Sequence, residues 1–319
     1  METNFLKHDV QAETEGFHKI PIRKVGVRNM LLPLGIAQKY VDHHQPVVAT
    51  ISTYCGLNES AKGINMSRNS RTLTQCLSKL ELTKLNITLA ELAQAHNSDE
   101  VYLNIKFDYL IEEESPITNI RSYEPCKVEV MASLIRGSYN CDLKVINNQS
   151  SCCPCSKNMS LLTNNITPYE AEVLNNIKCS SLVEKIEQAG FGAHNQRSEI
   201  QITVSTIEGG PIIWIEDLVD ISANAASSPT YTVLKREDEK FVTEMQYLGG
   251  YFDETGVFNK IDTAGPKFVE DIARDAANQL NLLLEEGSIK DYIVVVNNEE
   301  SIHTSLLATA VIDAGLKLK

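Results

Sequence analysis

Three thiols fall within four residues, at Cys152, Cys153 and Cys155, with Pro154 stiffening the turn between them and Lys157 close behind. Thiolates are strong ligands for zinc-like metals, and a neighbouring cation favours the thiolate form. A Cys-x-Cys pair without a second pair does not make a structural zinc knuckle, so a chance cluster of small buried residues explains it equally well. Gly192-Ala193-His194-Asn195-Gln196-Arg197-Ser198 places a histidine at the entry of a strand, where it can face a cleft. Lys235-Arg236-Glu237-Asp238-Glu239-Lys240 reads, on pattern alone, as a solvated charged turn. Glu270 stands near a helix start, where the macrodipole favours a carboxylate whatever its role. Ser301-Ile302-His303 lies just beyond a strand. A lone histidine is usually a surface or satisfied core residue; His194 rises above that only in company, and His303 by itself proves little. His43 and His44 lie in a polar turn, and His8, His18 and His96 have no thiol or carboxylate pattern around them.

These groups need elements to hold them. Ile20 to Leu34, Pro46 to Leu57 and Glu100 to Glu113 read as strands; in the last, Val101, Leu103, Ile105 and Phe107 share one face. Two further strands meet at Gly137-Ser138, and Glu199 to Glu208 alternates again. Ser67 to His96 carries apolar residues at helical spacing with a break near Asn86-Ile87-Thr88, and Thr88 with Glu91 resembles a capping box. Pro211 to Ala226 passes from strand to helix. Lys267 to Gly287 is an amphipathic helix ending at a glycine, and Tyr292 to Val296 is a buried strand. Residues up to about Gly16 are polar and loose. Two segments look inserted: 158–191, with a helical stretch near Tyr169 to Gln188, and 248–265, Gly- and Asp-rich and read as a loop. Each half therefore reads as strands, a helical region, then strands, an α+β layout with the outline of a duplicated unit.

The bulk properties narrow the function. With 319 residues and 43% hydrophobic content, the chain is large enough for a core that needs no disulfides. The net charge of −13 argues against a general nucleic-acid or anionic-membrane surface. It leaves room for an anionic small ligand held by a local cluster of cations. There is no membrane-length apolar run and no signal-peptide pattern, so the eight cysteines read as reduced thiols in a cytoplasmic protein.

"CPCSK", "GAHNQRS", "LKREDEKFVTE", "PKFVEDIARDAA" and "ESIH" stand in the order found in GTP cyclohydrolases of type IB, and "IPIRKVGV" and "KGINMSR" resemble the same family. The resemblance spans nearly the whole chain. It implies tandem tunnelling-fold units, here 1–145 and 146–319, each an antiparallel sheet with helices on one face, assembling into an oligomeric barrel. The family forms a homotetramer with active sites between subunits. By resemblance Cys153, His194, Glu239 and His303 are ligands of a divalent metal, and Glu270 anchors the purine. Cys155 lies beside the metal and is a candidate for proton transfer. Lys62, Arg68, Arg197, Lys235 and Arg236 are candidates for the triphosphate.

The implied reaction converts GTP and water to 7,8-dihydroneopterin triphosphate and formate, for folate-type or deazapurine biosynthesis. Water adds at C8 and a formamide is then hydrolysed. A metal with N, O and S ligands lowers the pKa of bound water toward neutrality and so supplies hydroxide. Thiolate and imidazole suit Zn2+ or Fe2+, and the carboxylate widens tolerance to Mn2+. An ionised Glu270 accepts from guanine N1–H and the 2-amino group, a pair adenine does not offer. Two positions depart from the family pattern, Asn65 and Ser305, where histidines are usual; they bear on proton transfer and phosphate contact. The 158–191 segment makes the connection between Cys153 and His194 far longer than the family's usual one, at a loop-closure cost that grows only slowly with length. The rival readings are an archaeal-type enzyme giving a cyclic phosphate, a non-catalytic purine- or pterin-binding homologue, and an unrelated structural zinc protein.

Overall fold

Alternation of apolar and polar residues decides most of this architecture. In β4 (Glu100–Glu114) the side chains of Val101, Leu103, Ile105, Phe107 and Tyr109 are buried, while Lys106, Asp108 and Leu110 between them are exposed. Period-two burial of that kind means one covered face and one open face. A computed structural model describes residues 18–163 and 193–316. The N-terminal stretch to Gly16 expected to be loose, the helix expected near Tyr169 to Gln188, and Cys179 lie outside the described residues.

The first set of elements is β1 (Ile22–Ala37), β2 (His44–Leu57), α1 (Met66–Cys76), β3 (Lys79–Leu80), α2 (Leu85–His96), β4 and β5 (Arg121–Ile135). The second is β6 (Ser138–Cys152), α3 (Pro154–Thr163), β7 (Asn195–Thr206), α4 (Ile215–Ala225), α5 (Arg236–Leu248), the short strands β8 (Gly250–Phe252) and β9 (Phe258–Lys260), α6 (Val269–Glu285), β10 (Ile289–Glu299) and β11 (Leu307–Asp313). Nine strands form one mixed sheet in the order β11-β10-β7-β6-β5-β4-β2-β1-β3. Among the described residues, only the β1–β3 pairing is parallel. Leaving aside β3, α3 and the β8–β9 hairpin, both sets run strand, strand, helices, strand, strand. They meet at the tight turn Arg136-Gly137, where both residues have positive φ, 50° and 82°. Position 145, the expected unit boundary, lies inside β6.

One continuous core joins the buried strand faces to Leu73 of α1, Leu85, Leu89 and Leu92 of α2, Leu218 and Val219 of α4, and Ile272, Ala276 and Leu280 of α6. That core corrects the expected helix start. Thr88 is 4% exposed inside α2 rather than at its cap, because the stripe Leu85, Leu89, Leu92 carries the helix back beyond it. The break falls earlier, at β3 and a 3-10 turn over Leu82–Lys84. Pro211 to Trp214 is not a strand; the chain leaves β7 there and turns helical at Ile215. The 248–265 segment is more than a loop. Its hairpin β8–β9 is closed by Asp253, whose carboxylate accepts from Thr255, Val257 and Asn259.

The sheet parts at one place. The β5–β6 ladder runs from Ile135↔Ser138 only to Lys127↔Ile146. Beyond it β5 continues against β4, and β6 continues against β7 as far as Cys152↔Asn195. The link between α4 and α5 is bonded to both of the parted strands. Ser227 N and Ser228 N donate to Ser150 O, Ser150 N donates to Ser228 O, and Thr230 Oγ1 donates to Asn148 O. Thr232 Oγ1 donates to Tyr123 O on the other side. Backbone groups that the two strands no longer satisfy for one another are satisfied by this strap.

Candidate functional site

Cys153 leaves β6 and caps α3. Lys157 N donates to Cys153 O, and Pro154 occupies the first helical position, where a missing N–H costs nothing. Across the ladder, Cys153 N donates to His194 O at 3.3 Å, so the thiol and the imidazole stand on adjacent strand ends. Both residues are half-buried. His194 is further held by its N–H to Ser156 Oγ, while Tyr247 of α5 donates to Ala193 O at 3.2 Å. The neighbouring Cys152 is a different kind of thiol. It is fully buried, and burial pushes its pKa up to about 12 despite Lys157 nearby. Cys152 is thereby kept as a protonated, buried thiol, while Cys153 and Cys155 are the accessible sulfurs of the cluster. Burial also lowers the Lys157 ammonium pKa, against the pull of Cys152. Cys155 is exposed one residue into α3.

Glu270 is brought toward the same corner. Lys267 N donates to Cys152 O, and Lys267 Nζ donates to Ala225 O and Thr263 O and pairs with Asp275. The start of α6 is thereby pinned to the end of β6, with Glu270 exposed in its first turn. His303 is exposed in the turn between β10 and β11, its N–H donating to Glu300 O. A cleft of about 720 Å³ lies beside that turn, lined by His303, Ser305, Glu300, Arg197, Gln149 and Thr230 among others.

Glu239 sits in the first turn of α5, exposed. The charged turn read from sequence is the beginning of this helix. Its buried member is Asp238, 0% exposed, which accepts from Ile117 N, Thr118 N, Thr118 Oγ1 and Lys235 N. Burial works to raise that carboxyl, but these hydrogen bonds outweigh it and hold its pKa well below the usual range. Asp238 thus fastens Glu239's helix turn to the β4–β5 connection. Lys235 and Arg236 flank the same helix start. Lys62 precedes α1; Arg68 lies in α1, donates to Ala95 O, and belongs to the other half of the sheet. Asn65 is the α1 N-cap, accepting from Ser67 N and Ser67 Oγ.

Among the described residues, no three His, Cys, Asp or Glu side chains gather to hold a metal within this one chain. Cys153 and His194 are together; Glu239 and His303 stand on other exposed turns. The sulfur and nitrogen donors that are together suit a zinc-like or iron-like ion.

Two residues that the sequence did not single out join this corner. Gln196, two positions after His194 on the same strand face, hydrogen-bonds to the His194 ring and to Glu300. Period two along β7 was the available signal for Gln196; Glu300 opens the ESIH stretch, but nothing local ties its side chain to Gln196.

The family profile described as type I GTP cyclohydrolase folE2 matches residues 8–305. Among curated relatives, "GTP cyclohydrolase FolE2" of Thermotoga maritima is 34% identical over 299 residues, 92% of this chain and 93% of that one. The protein of the same name from Geobacter sp. (strain M21) is 32% identical over 92% of this chain and 90% of that one. The chain belongs to the type I GTP cyclohydrolase FolE2 family. The FolE2 match takes in Cys153, His194, Glu239, Glu270 and His303. Among solved structures, uricase from Arthrobacter globiformis aligns over 92% of both chains at 5% identity and a TM-score of 0.44, too distant a likeness to bear on function. No helix among the described residues is long and apolar enough to cross a membrane.

Proposed function

We propose that this FolE2 family member hydrolyses GTP to 7,8-dihydroneopterin triphosphate and formate, as an early step of folate-type biosynthesis. The supporting observation is the family match over residues 8–305, joined to a corner where the half-buried Cys153 and His194 lie at the end of the sheet to which the helix start bearing Glu270 is pinned.

In this reading Glu270 accepts from guanine N1–H and the 2-amino group and so selects the base. Arg197, with Lys62 and Arg68, offers cations to the triphosphate. Cys153, His194, Glu239 and His303 would hold a divalent ion, Mn2+, Zn2+ or Fe2+. Such an ion supplies Lewis acidity and lowers the pKa of a reacting water. Cys155, exposed two positions after Cys153, holds or passes a proton during the addition at C8 and the hydrolysis of the formamide.

Glu239 and His303 are placed on exposed turns, which fits a site completed between subunits of a homotetramer. The two sets of elements, which meet at the Arg136-Gly137 turn, are read as tandem tunnelling-fold units contributing to an oligomeric barrel. The protein works in the cytoplasm.

The test is incubation of metal-reconstituted protein with GTP, following formate and, after oxidation, a fluorescent pterin. Both are expected to rise with added Mn2+. Tight GTP binding with no formate released overturns the enzymatic reading, and a cyclic phosphate seen by phosphorus NMR corrects the product.

A further inference from the structure

The hydrogen bonds around His194 decide which of its ring nitrogens carries the proton. Gln196 is 8% exposed on β7, and its Nε2 donates to Glu300 Oε1 at 3.2 Å. An ionised carboxylate only accepts, so the NH2 end of the amide must face Glu300 and the carbonyl oxygen must face the other way. That oxygen lies 2.9 Å from His194 Nδ1. An amide oxygen also only accepts, so Nδ1 must be the donor. In a neutral imidazole the lone pair is then on Nε2. For a neutral ring, the chain Glu300, Gln196, His194 leaves no other consistent assignment.

The backbone of Glu300 adds a second link. Glu300 N donates to Leu306 O, and Glu300 O accepts from His303 N. The turn bearing His303 is therefore closed by the residue whose side chain reaches Gln196. The His194 ring and the backbone of the His303 turn are thus linked through one amide and through Glu300.

We infer that Gln196 and Glu300 are positioning residues that hold His194 in its Nδ1–H form, presenting Nε2 as a ready donor to a divalent cation. The value of that donor rests on the proposed role of His194 as a metal ligand; the tautomer does not. A ligand histidine fixed by its second nitrogen loses less freedom on binding and is more basic, and removing such a support weakens metal affinity by about 10–100-fold.

The experiment uses the full-length protein without metal at a pH where imidazole is neutral, with nitrogen-15-labelled histidine. The His194 signal is assigned by its loss in His194→Asn. Native protein is expected to show the Nδ1–H tautomer. Glu300→Gln, whose side-chain oxygen can still accept from Gln196, should retain it. Gln196→Leu should lose it, and if that variant does not fold, Glu300→Leu should give a mixture as the amide is released. In a chelator competition with zinc, Gln196→Leu should bind about 10–100-fold more weakly than native, and Glu300→Gln close to native. An Nε2–H tautomer in the native protein overturns the inference. So does native-like zinc affinity in a folded Gln196→Leu variant. Native protein with the Nδ1–H tautomer but no zinc uptake supports the hydrogen-bond chain and overturns the ligand role instead.

Discussion

The covered faces of the two strand sets begin alike and end differently. In β4 the buried positions stay apolar from Val101 through Phe107 and close on Tyr109, whose hydroxyl donates to Glu216. In β6 they run Cys141, Leu143, Val145 and then turn polar at Asn147, Gln149 and Ser151. β7 makes the same change from Ile200 to Ser198 and Gln196, and β10 from Val296 to Asn298. Ser198 Oγ donates to Asn298 at 2.6 Å, but Asn147 and Ser151 have buried side-chain polar atoms with no protein partner. Buried polar groups left like this cost stability. The first set is arranged for packing; the second gives up packing at one end, the end that carries Cys153, His194 and the approach to Glu270.

The sharpest way to break this contrast is to exchange its two kinds of thiol. Cys153→Ala should lower formate release by about two orders of magnitude or more, as loss of the proposed metal ligand implies, while the far-ultraviolet circular dichroism stays native. Cys126, deep in β5 with its thiol pushed up to about 12 by burial and then by nearby Glu124, should tolerate Ala with activity per folded molecule retained. Equal losses in the two variants would erase the distinction.

Next in size is the core of the first set. Leu89 is fully buried in α2, and Leu89→Ala should destabilise by about 2–5 kcal/mol in a denaturant titration. GTP turnover by the remaining folded protein should be unchanged.

A smaller effect lies where the sets part. Burial, and then Glu113, raise the Glu124 pKa from 4.5 to about 7, with Thr230 opposing. Folded Glu124 thus keeps its proton where the unfolded chain has released it. Its contribution to stability falls as pH rises from 4.5 to about 7 and stays reduced above that. Glu124→Gln should therefore raise the melting temperature at pH 8, with the gain shrinking toward pH 5; a gain independent of pH would refute the assignment. The least effect is expected from Arg121, an exposed residue paired with Glu112 and Glu114, where Arg121→Ala should cost at most about 1 kcal/mol by thermal melting.

Most of this sheet was legible because alternation is local. The strands from Glu100 to Ile135 and the helix from Val269 to Glu285 follow from residues within each segment. The start of α2 was not, since Thr88 and Glu91 offer a cap that three buried leucines override. Nor was Asp238 distinguishable from its neighbours in a run of charge; what buries it is a turn more than a hundred positions away, at Ile117 and Thr118. In the candidate site, Cys153, His194, Glu239, Glu270 and His303 stood out by residue type and by resemblance. Gln196 and Glu300 did not, because their meaning depends on a hydrogen bond spanning 104 positions.

The strap bonded to the parted ends of β5 and β6 has a mechanical corollary. It acts as a shim: its thickness sets how far apart the strand tips stand, much as a wedge sets the opening of a split log. Replacing Thr230 or Thr232 alters single bonds, but deleting one residue from 227–232 would change the angle at which one block of strands meets the other. Homologous chains with a shorter or longer shim would then present the same side chains at a different spacing, with no change in any of those side chains.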